Sequence, residues 1–277
     1  MKDITLGQYY PIESPIHRLD PRVKILAAFL MIVLAFIAGT FIGYAIIAVL
    51  LALITITAHI PFVSLVRGMK SVLFLLLFTF ILNTFFFTEG QPLFKWWIFS
   101  ITGQGLLRAI FMALRLVLLV TAATMLTLTT SPIALTDGIE KLLKPLQKIG
   151  FPAHEIAMMM TIALRFIPTL MEETDRIMKA QAARGAVFDR GSLWRRAKAI
   201  IPLLIPLFVS AFRRADELAQ AMEARCYHGG EGRTRLKVLK LGLNDAMAVL
   251  VLLLFTAFII ADKIYLVPLL PFLSGGI

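Results

Sequence analysis

Two arginines in related surroundings are the residues whose spacing points most directly to a function. Arg184 ends a segment that starts at Asp175, and Arg225 ends a segment that starts at Asp216. An offset of 41 residues superposes the two segments and aligns the aspartates, two alanines and the arginines. Arginine presents a planar fork of donors that binds carboxylates or backbone carbonyls. The pattern therefore predicts recognition of a partner rather than catalysis.

Each segment has the composition of a helix that stops at its Ala-Arg pair. The predicted contact residues are Ala183, Arg184 and Gly185 in the first copy and Ala224, Arg225 and Cys226 in the second. The alanines leave room for a partner, and each arginine places a cation at the negative end of a helix. Glycine after a helix commonly adopts a left-handed conformation. Two plainer interpretations compete: such arginines end many helices, and a basic segment can lie on anionic lipid.

The other residue types that carry chemistry show no pattern. The four histidines, at positions 17, 59, 154 and 228, are scattered, and the chain has a single cysteine. No Gly-x4-Gly-Lys-Ser/Thr loop is present to bind nucleotide, and no His-Glu-x-x-His motif or Cys/His cluster is present to bind a metal. We therefore expect no catalytic residue, no cofactor and no metal site in this chain.

The composition predicts an all-α polytopic membrane protein. Of the 277 residues 59% are hydrophobic, whereas a soluble domain is about 45–50% apolar. The mean hydropathy is +0.84, and the apolar residues form long uncharged runs. The net charge of +11 is compatible with nucleic acid, an anionic membrane surface or an acidic protein. In a membrane protein we attribute it to the cytoplasmic side and expect no nucleic-acid partner.

Five membrane-spanning helices are predicted. The uncharged stretch 25–58 would be about 51 Å long as one helix, so we divide it into two spans at Gly39 and Gly43. The other three spans are Ser71–Phe87, Leu106–Thr130 and Asp245–Ala261. Arg115 lies within the fourth span. It either snorkels towards the outer surface, contacts another membrane subunit or belongs to a structural polar network.

The positions of the basic residues predict the topology. Eighteen of the 28 lysines and arginines lie between Asp137 and Lys240. We therefore expect a cytoplasmic N-terminus and coupling region, with the last end outside the cell membrane. The predicted parts are a leader (1–24), a four-span region (25–130), a cytoplasmic region of long amphipathic coupling helices (131–240) and a last span with its tail (241–277).

The chain resembles the T component, the transmembrane scaffold of energy-coupling factor (ECF) transporters. Ala183-Arg-Gly185 and Ala221-Met-Glu-Ala-Arg225 are similar to the paired Ala-Arg-Gly signatures of that family. The resemblance covers nearly the whole chain. It includes Ser14-Pro-Ile-His-Arg-Leu-Asp-Pro-Arg22, Ala163-Leu-Arg-Phe-Ile-Pro168 and Pro206-Leu-Phe-Val-Ser-Ala-Phe-Arg-Arg-Ala-Asp-Glu217.

The resemblance implies a non-catalytic subunit of an ABC-type importer for vitamins, metal ions or other micronutrients. Two cytoplasmic ABC-type ATPases would bind the coupling helices, one at each Ala-Arg end, with Arg184 and Arg225 as the coupling residues. A separate substrate-binding membrane subunit, the S component, would dock on the chain and change its orientation when the ATPases close. Cys226 stands where the family has glycine, and either weakens the second contact or marks an altered sequence. The substrate is not predicted, because specificity would belong to another polypeptide.

Two other functions, a secondary transporter and an intramembrane enzyme, would require different sequence features. A self-contained secondary transporter should show inverted repeats and polar sites at the membrane midplane. The repeat at 41 residues is direct instead, and it falls in the region predicted to be cytoplasmic. An intramembrane enzyme would need catalytic groups that the spans lack.

Overall fold

The computed structural model describes residues 9–86, 92–96, 99–186, 193–229, 239 and 241–266. The chain divides into two compact units. Of the described residues, those up to Gly138 and from Leu239 onward form the bundle unit, and those from Ile139 to residue 229 form the two-helix unit. The start of the expected leader, the linker at 187–192 and the expected apolar tail after residue 266 lie outside the described residues.

The predicted all-α fold class is confirmed. Nine α-helices occur in the described part of the chain: α1 (Pro21–Ile37), α2 (Phe41–Thr57), α3 (Phe62–Lys70), α4 (Leu73–Phe86), α5 (Gly103–Thr129), α6 (Pro132–Leu143), α7 (Ala153–Ala183), α8 (Leu193–Glu223) and α9 (Leu243–Ala261). A 3-10 helix follows α6 at Lys144–Ile149, and a π-helical turn follows α9 at Asp262–Leu266. One short antiparallel hairpin joins α4 to α5 through β1 (Pro92–Trp96) and β2 (Phe99–Thr102).

The stretch 25–58 is divided as predicted, although at only one of its two glycines. The turn between α1 and α2 contains Gly39. Gly43 lies inside α2, where its amide donates to the Thr40 hydroxyl at 3.0 Å and so caps the helix. A Cβ added to Gly43 would lie 3.0 Å from Oδ2 of Asp262. At Gly43 the glycine therefore permits close packing rather than a break.

The third predicted span, Ser71–Phe87, corresponds to α4 (Leu73–Phe86). A break at residues 71 and 72 and a bend of 64° separate α4 from α3, and the two helices together form one bent candidate span. The short helix α3 packs closely on α5, since a Cβ added to Gly68 would lie 3.0 Å from Cγ2 of Thr124. Arg67 and Lys70 mark the end of α3 in the sequence, but the sequence does not specify the angle of the bend.

Helix length separates the spans into two groups. Among the described residues, Gly103–Thr129 and Leu243–Tyr265 are long and apolar enough to cross a membrane, and the α3–α4 pair counts as a third candidate. Helices α1 and α2 have 17 residues each, or about 25 Å against a hydrocarbon core of about 30 Å. They would span only with local thinning of the bilayer, so the count of five spans stays a prediction.

The bundle unit packs around α5. A first buried apolar cluster joins α1, α2, α5 and α9, and includes Leu34, Ile47, Phe111, Leu118 and Ile259. A second cluster, at the other end of α5, includes Ala58, Ile60, Leu65, Met125 and Leu128. Because α5 contributes to both clusters, it is the central helix of this unit.

The two-helix unit is dominated by α7 and α8, each 31 residues long. A turn at Gly150, with φ of 84°, precedes α7. Both helices continue through internal prolines, Pro168 in α7 and Pro202 and Pro206 in α8. The apolar stretch Ala199–Phe212, which by itself would be too short to span a membrane, is thus the middle of one long helix.

Candidate partner-binding site at two equivalent helix ends

The first Ala-Arg pair ends α7 in a Schellman turn. The Arg184 amide donates to the Gln181 carbonyl at 3.1 Å, and the Gly185 amide donates to the Ala182 carbonyl at 3.0 Å. The Ala186 amide closes the turn on the Gln181 carbonyl at 3.0 Å. Gly185 has a φ of 88°, the left-handed conformation that this motif needs. The conformation predicted for Gly185 is therefore confirmed.

The second Ala-Arg pair ends α8 in the same turn. The Arg225 amide donates to the Met222 carbonyl at 3.1 Å, and the Cys226 amide donates to the Glu223 carbonyl at 2.9 Å. The Tyr227 amide donates back to Met222 at 3.0 Å. Cys226 has a φ of 55°, which costs a residue with a Cβ roughly 1–2 kcal/mol. The second end thus keeps the backbone of the first in spite of its cysteine.

All six predicted contact residues are exposed: Ala183, Arg184, Gly185, Ala224, Arg225 and Cys226. Within the described residues, neither guanidinium forms an ion pair or a side-chain hydrogen bond. A Cβ added to Gly185 would meet nothing within 4 Å, so backbone conformation and not space favours glycine there. The unit therefore presents two cations on matching backbones, both available to a partner.

An ion pair joins α7 to α8 at equivalent positions of the repeat. Nη2 of Arg214 lies 3.1 Å from Oε2 of Glu173, and the two residues are 41 apart in sequence. Arg184 lies 11 residues after Glu173, and Arg225 lies 11 residues after Arg214. Each separation is about 16 Å along the helix. The sequence carries a signal for this contact, because the offset places opposite charges at equivalent positions. We did not predict it.

Exchanging glycine and cysteine between the two ends should change them in opposite directions. We expect Cys226→Gly to retain or strengthen the binding of a partner at the second end, by up to about fivefold, because glycine removes roughly 1 kcal/mol of left-handed strain. The reciprocal Gly185→Cys should weaken the first end by a similar factor. Titration of a partner subunit against each variant measures both changes. A clear loss of binding in Cys226→Gly would show instead that the thiol itself makes a required contact.

Comparison with known proteins places the chain in a family. A sequence profile of the CbiQ family, described as cobalt transport protein, matches residues 13–236. The chain is 55% identical to the energy-coupling factor transporter transmembrane protein EcfT of Clostridium kluyveri over 267 residues, which are 96% of this chain and 98% of that relative. The chain belongs to the EcfT family. The EcfT protein of Thermosediminibacter oceani is 54% identical over 248 residues (90% and 93% of the two chains), and that of Bacillus subtilis is 47% identical over 257 residues (93% and 97%).

Membership of the EcfT family confirms the resemblance to T components and gives the chain a general role in transport across a membrane. The relatives are named as transmembrane components of transporters, in agreement with a subunit that carries no chemistry of its own. Among the described residues, no group of three or more His, Cys, Asp or Glu side chains could hold a metal ion.

A buried polar cluster in the bundle unit was not predicted. Oδ1 of Asp245 accepts a hydrogen bond from the Asp20 amide at 2.7 Å, and Oδ2 accepts one from the Gly242 amide at 2.8 Å. The Lys24 ammonium donates to the carbonyls of His17 at 3.0 Å and Thr129 at 2.9 Å. This cluster ties the end of the leader to the start of α9 and the end of α5 in this EcfT-family chain.

The leader residues beside that cluster are also ordered by side-chain contacts. The Ser14 hydroxyl lies 2.7 Å from Nδ1 of His17. Burial, together with the positive charge of Lys24, lowers the pKa of the His17 imidazole below its ordinary value. The ring is therefore neutral at physiological pH, which lets it lie beside a lysine without repulsion.

Arg115 belongs to a polar network inside the bundle unit. Its Nε donates to the Tyr44 hydroxyl at 2.9 Å, and its guanidinium lies 5.5 Å from the centre of the Phe36 ring. A cation over an aromatic face is stabilised by the ring quadrupole. Of the three interpretations of Arg115, the structure supports the structural network, since α1 and α2 supply its partners.

Proposed function

We propose that this chain is the coupling subunit of an ECF-type ABC importer for vitamins or other micronutrients. Two cytoplasmic ABC-type ATPases bind its two Ala-Arg ends, one at each end. Their ATP-driven closing moves α7 and α8, and this motion reorients a substrate-binding S component in the membrane. The chain itself hydrolyses nothing and holds no cofactor.

One observation carries this proposal: two exposed arginines end two long helices on the same backbone turn. An arginine at a helix end is ordinary, but the same three-bond turn at an offset of 41 residues is not. A pair of matching ends suits a pair of similar partners, because each end would fill the same kind of pocket. Two ATPases that work as a dimer are partners of this kind.

A second feature supports a partner with an apolar surface. Ile201, Ile205, Phe208 and Phe212 of α8 recur every three or four residues and are each at least half exposed. That spacing places them on one face of the helix. A helix face with several large apolar side chains is normally in contact with another apolar surface. We assign this contact to the S component or to the lipid around the S component.

Co-purification tests this function directly. The chain should be expressed with its candidate ATPases and S component, then purified through a tag on the chain and reconstituted in liposomes. We expect a stable complex in which substrate uptake requires ATP and all subunits. Substrate uptake by the chain alone would favour the alternative function, a self-contained secondary transporter, and would contradict a pure coupling role.

The single cysteine offers a test of the proposed orientation. Cys226 is exposed and, in our proposal, faces the cytoplasm. A membrane-impermeant maleimide should therefore label it in inverted membrane vesicles and leave it unlabelled in intact cells. As a control, Cys226→Ser with Lys263→Cys moves the thiol to an exposed position at the opposite end of the predicted topology, and the labelling pattern should reverse. Labelling of Cys226 from outside intact cells would overturn the orientation.

A further inference from the structure

A groove in the bundle unit combines apolar walls with two cations. It has a volume of about 630 Å³ and lies between α3, α4 and α5. Its walls include Val66, Leu73, Leu76, Leu116, Val117 and Val120, and its charged lining residues are Arg67 and Lys70. A ligand for this groove must be apolar along most of its length and negative at one end.

The two cations have no counter-charge in the described structure. Both side chains are exposed, and neither forms an ion pair or a side-chain hydrogen bond with a described residue. The sequence of helices α1–α5 contains no acidic residue at all. Helices α1–α5 therefore offer no carboxylate to Arg67 and Lys70, and both cations are available to an anionic ligand.

The bend between α3 and α4 lets these cations reach lipid headgroups if α4 lies across the membrane. Ser64, Arg67 and Lys70 recur at intervals of three and share one face of α3, while Leu65 and Gly68 pack inwards. The helix is bent by 64° from α4. If α4 crosses the membrane, α3 lies close to the membrane plane, as an amphipathic interfacial helix does.

We propose that this groove binds an anionic phospholipid. Its phosphate lies between Arg67 and Lys70, and an acyl chain follows the apolar wall formed by α4 and α5. Lipid is favoured over a protein segment because the neighbouring face of α4 is open: Phe74 is 79% exposed and Leu77 is 56% exposed. A bilayer lipid can enter along such a face without displacing anything. This inference goes beyond the proposed coupling function and does not depend on it.

Native mass spectrometry of the full chain tests the groove, with phosphatidylglycerol and phosphatidylcholine of identical acyl chains as probes. We expect one phosphatidylglycerol to bind about 30-fold more tightly than phosphatidylcholine, because each basic residue near the headgroup contributes roughly fivefold. Arg67→Gln with Lys70→Gln should abolish that preference. Lys144→Gln with Lys148→Gln removes two exposed cations from the two-helix unit and should leave the preference intact. Val66→Trp, which fills the groove and keeps its charge, should weaken the binding of both lipids.

Three results would overturn the proposal. An unchanged preference in the Arg67/Lys70 variant would mean that these cations do not hold the headgroup. An equal loss in the Lys144/Lys148 variant would mean that lipid binds through overall charge, and unchanged binding in Val66→Trp would mean that the groove is not occupied.

Discussion

Replacing both Arg184 and Arg225 with alanine is expected to abolish assembly with the ATPases and ATP-driven uptake, while the chain remains in the membrane. An exposed arginine that anchors an interface typically contributes about 2 kcal/mol or more, so each single change should weaken binding roughly 30-fold. Each end is proposed to bind its own ATPase, so the two losses should add in the binding of the ATPase pair. The double variant should therefore bind about 1,000-fold more weakly, too weakly to survive purification.

A matched control distinguishes the loss of arginine at the two helix ends from a general loss of positive charge. Arg176 and Arg213 are also exposed on α7 and α8, and neither has an ion-pair partner in the described structure. Their double change to alanine should leave the recovery of ATPases in a tagged purification within about twofold of the wild type, as is usual for exposed positions outside an interface. Normal ATP-driven uptake by the Arg184/Arg225 double variant would contradict the coupling proposal.

Asp245→Ala is expected to be the most destabilising single change in the bundle unit. Asp245 is only 6% exposed, and its carboxylate accepts hydrogen bonds from two backbone amides. Asp245 and Asp20 are also the acidic groups whose charges act on the buried Lys24. Removing one partner from such a cluster leaves an uncompensated charge and an unpaired donor, which costs about 3–5 kcal/mol.

Thermal unfolding of the purified chain in detergent measures this cost. At roughly 2–4 °C per kcal/mol for a chain of this size, the midpoint should fall by about 10 °C. Asp216→Ala, at an exposed position of α8, removes the same group and should shift the midpoint by no more than about 2 °C. Equal midpoints for the two variants would show that the Asp245 cluster does not hold the bundle together.

Features that depend on residues close together in the sequence were predictable. The uncharged runs identified the apolar helices, because burial in lipid demands apolar side chains whatever their neighbours are. The Ala-Arg ends were predictable because a Schellman turn depends on a few consecutive residues, above all on the residue that adopts positive φ. The prediction that Gly185 is left-handed was correct for this reason. Whether Cys226 also needs positive φ was left open, and the structure gives it a φ of 55°.

Features that depend on distant residues were not predictable in the same way. The hydrogen bond between Asp20 and Asp245 joins residues 225 apart, and that between Tyr44 and Arg115 joins residues 71 apart. No local preference selects these partners, since packing of the helices brings them together. For the same reason the sequence left three interpretations of Arg115 open and did not specify the angle between α3 and α4.

Site-specific photocrosslinking tests most directly whether the two helix ends hold the ATPases. A photoreactive amino acid would be placed at Ala183 or at Ala224 in the assembled transporter, with Glu172, an exposed position further back on α7, as the control. The account predicts crosslinks to an ATPase subunit from both alanine positions and none from the control. Absence of ATPase crosslinks from both positions, in a complex that still imports its substrate with ATP, would contradict it.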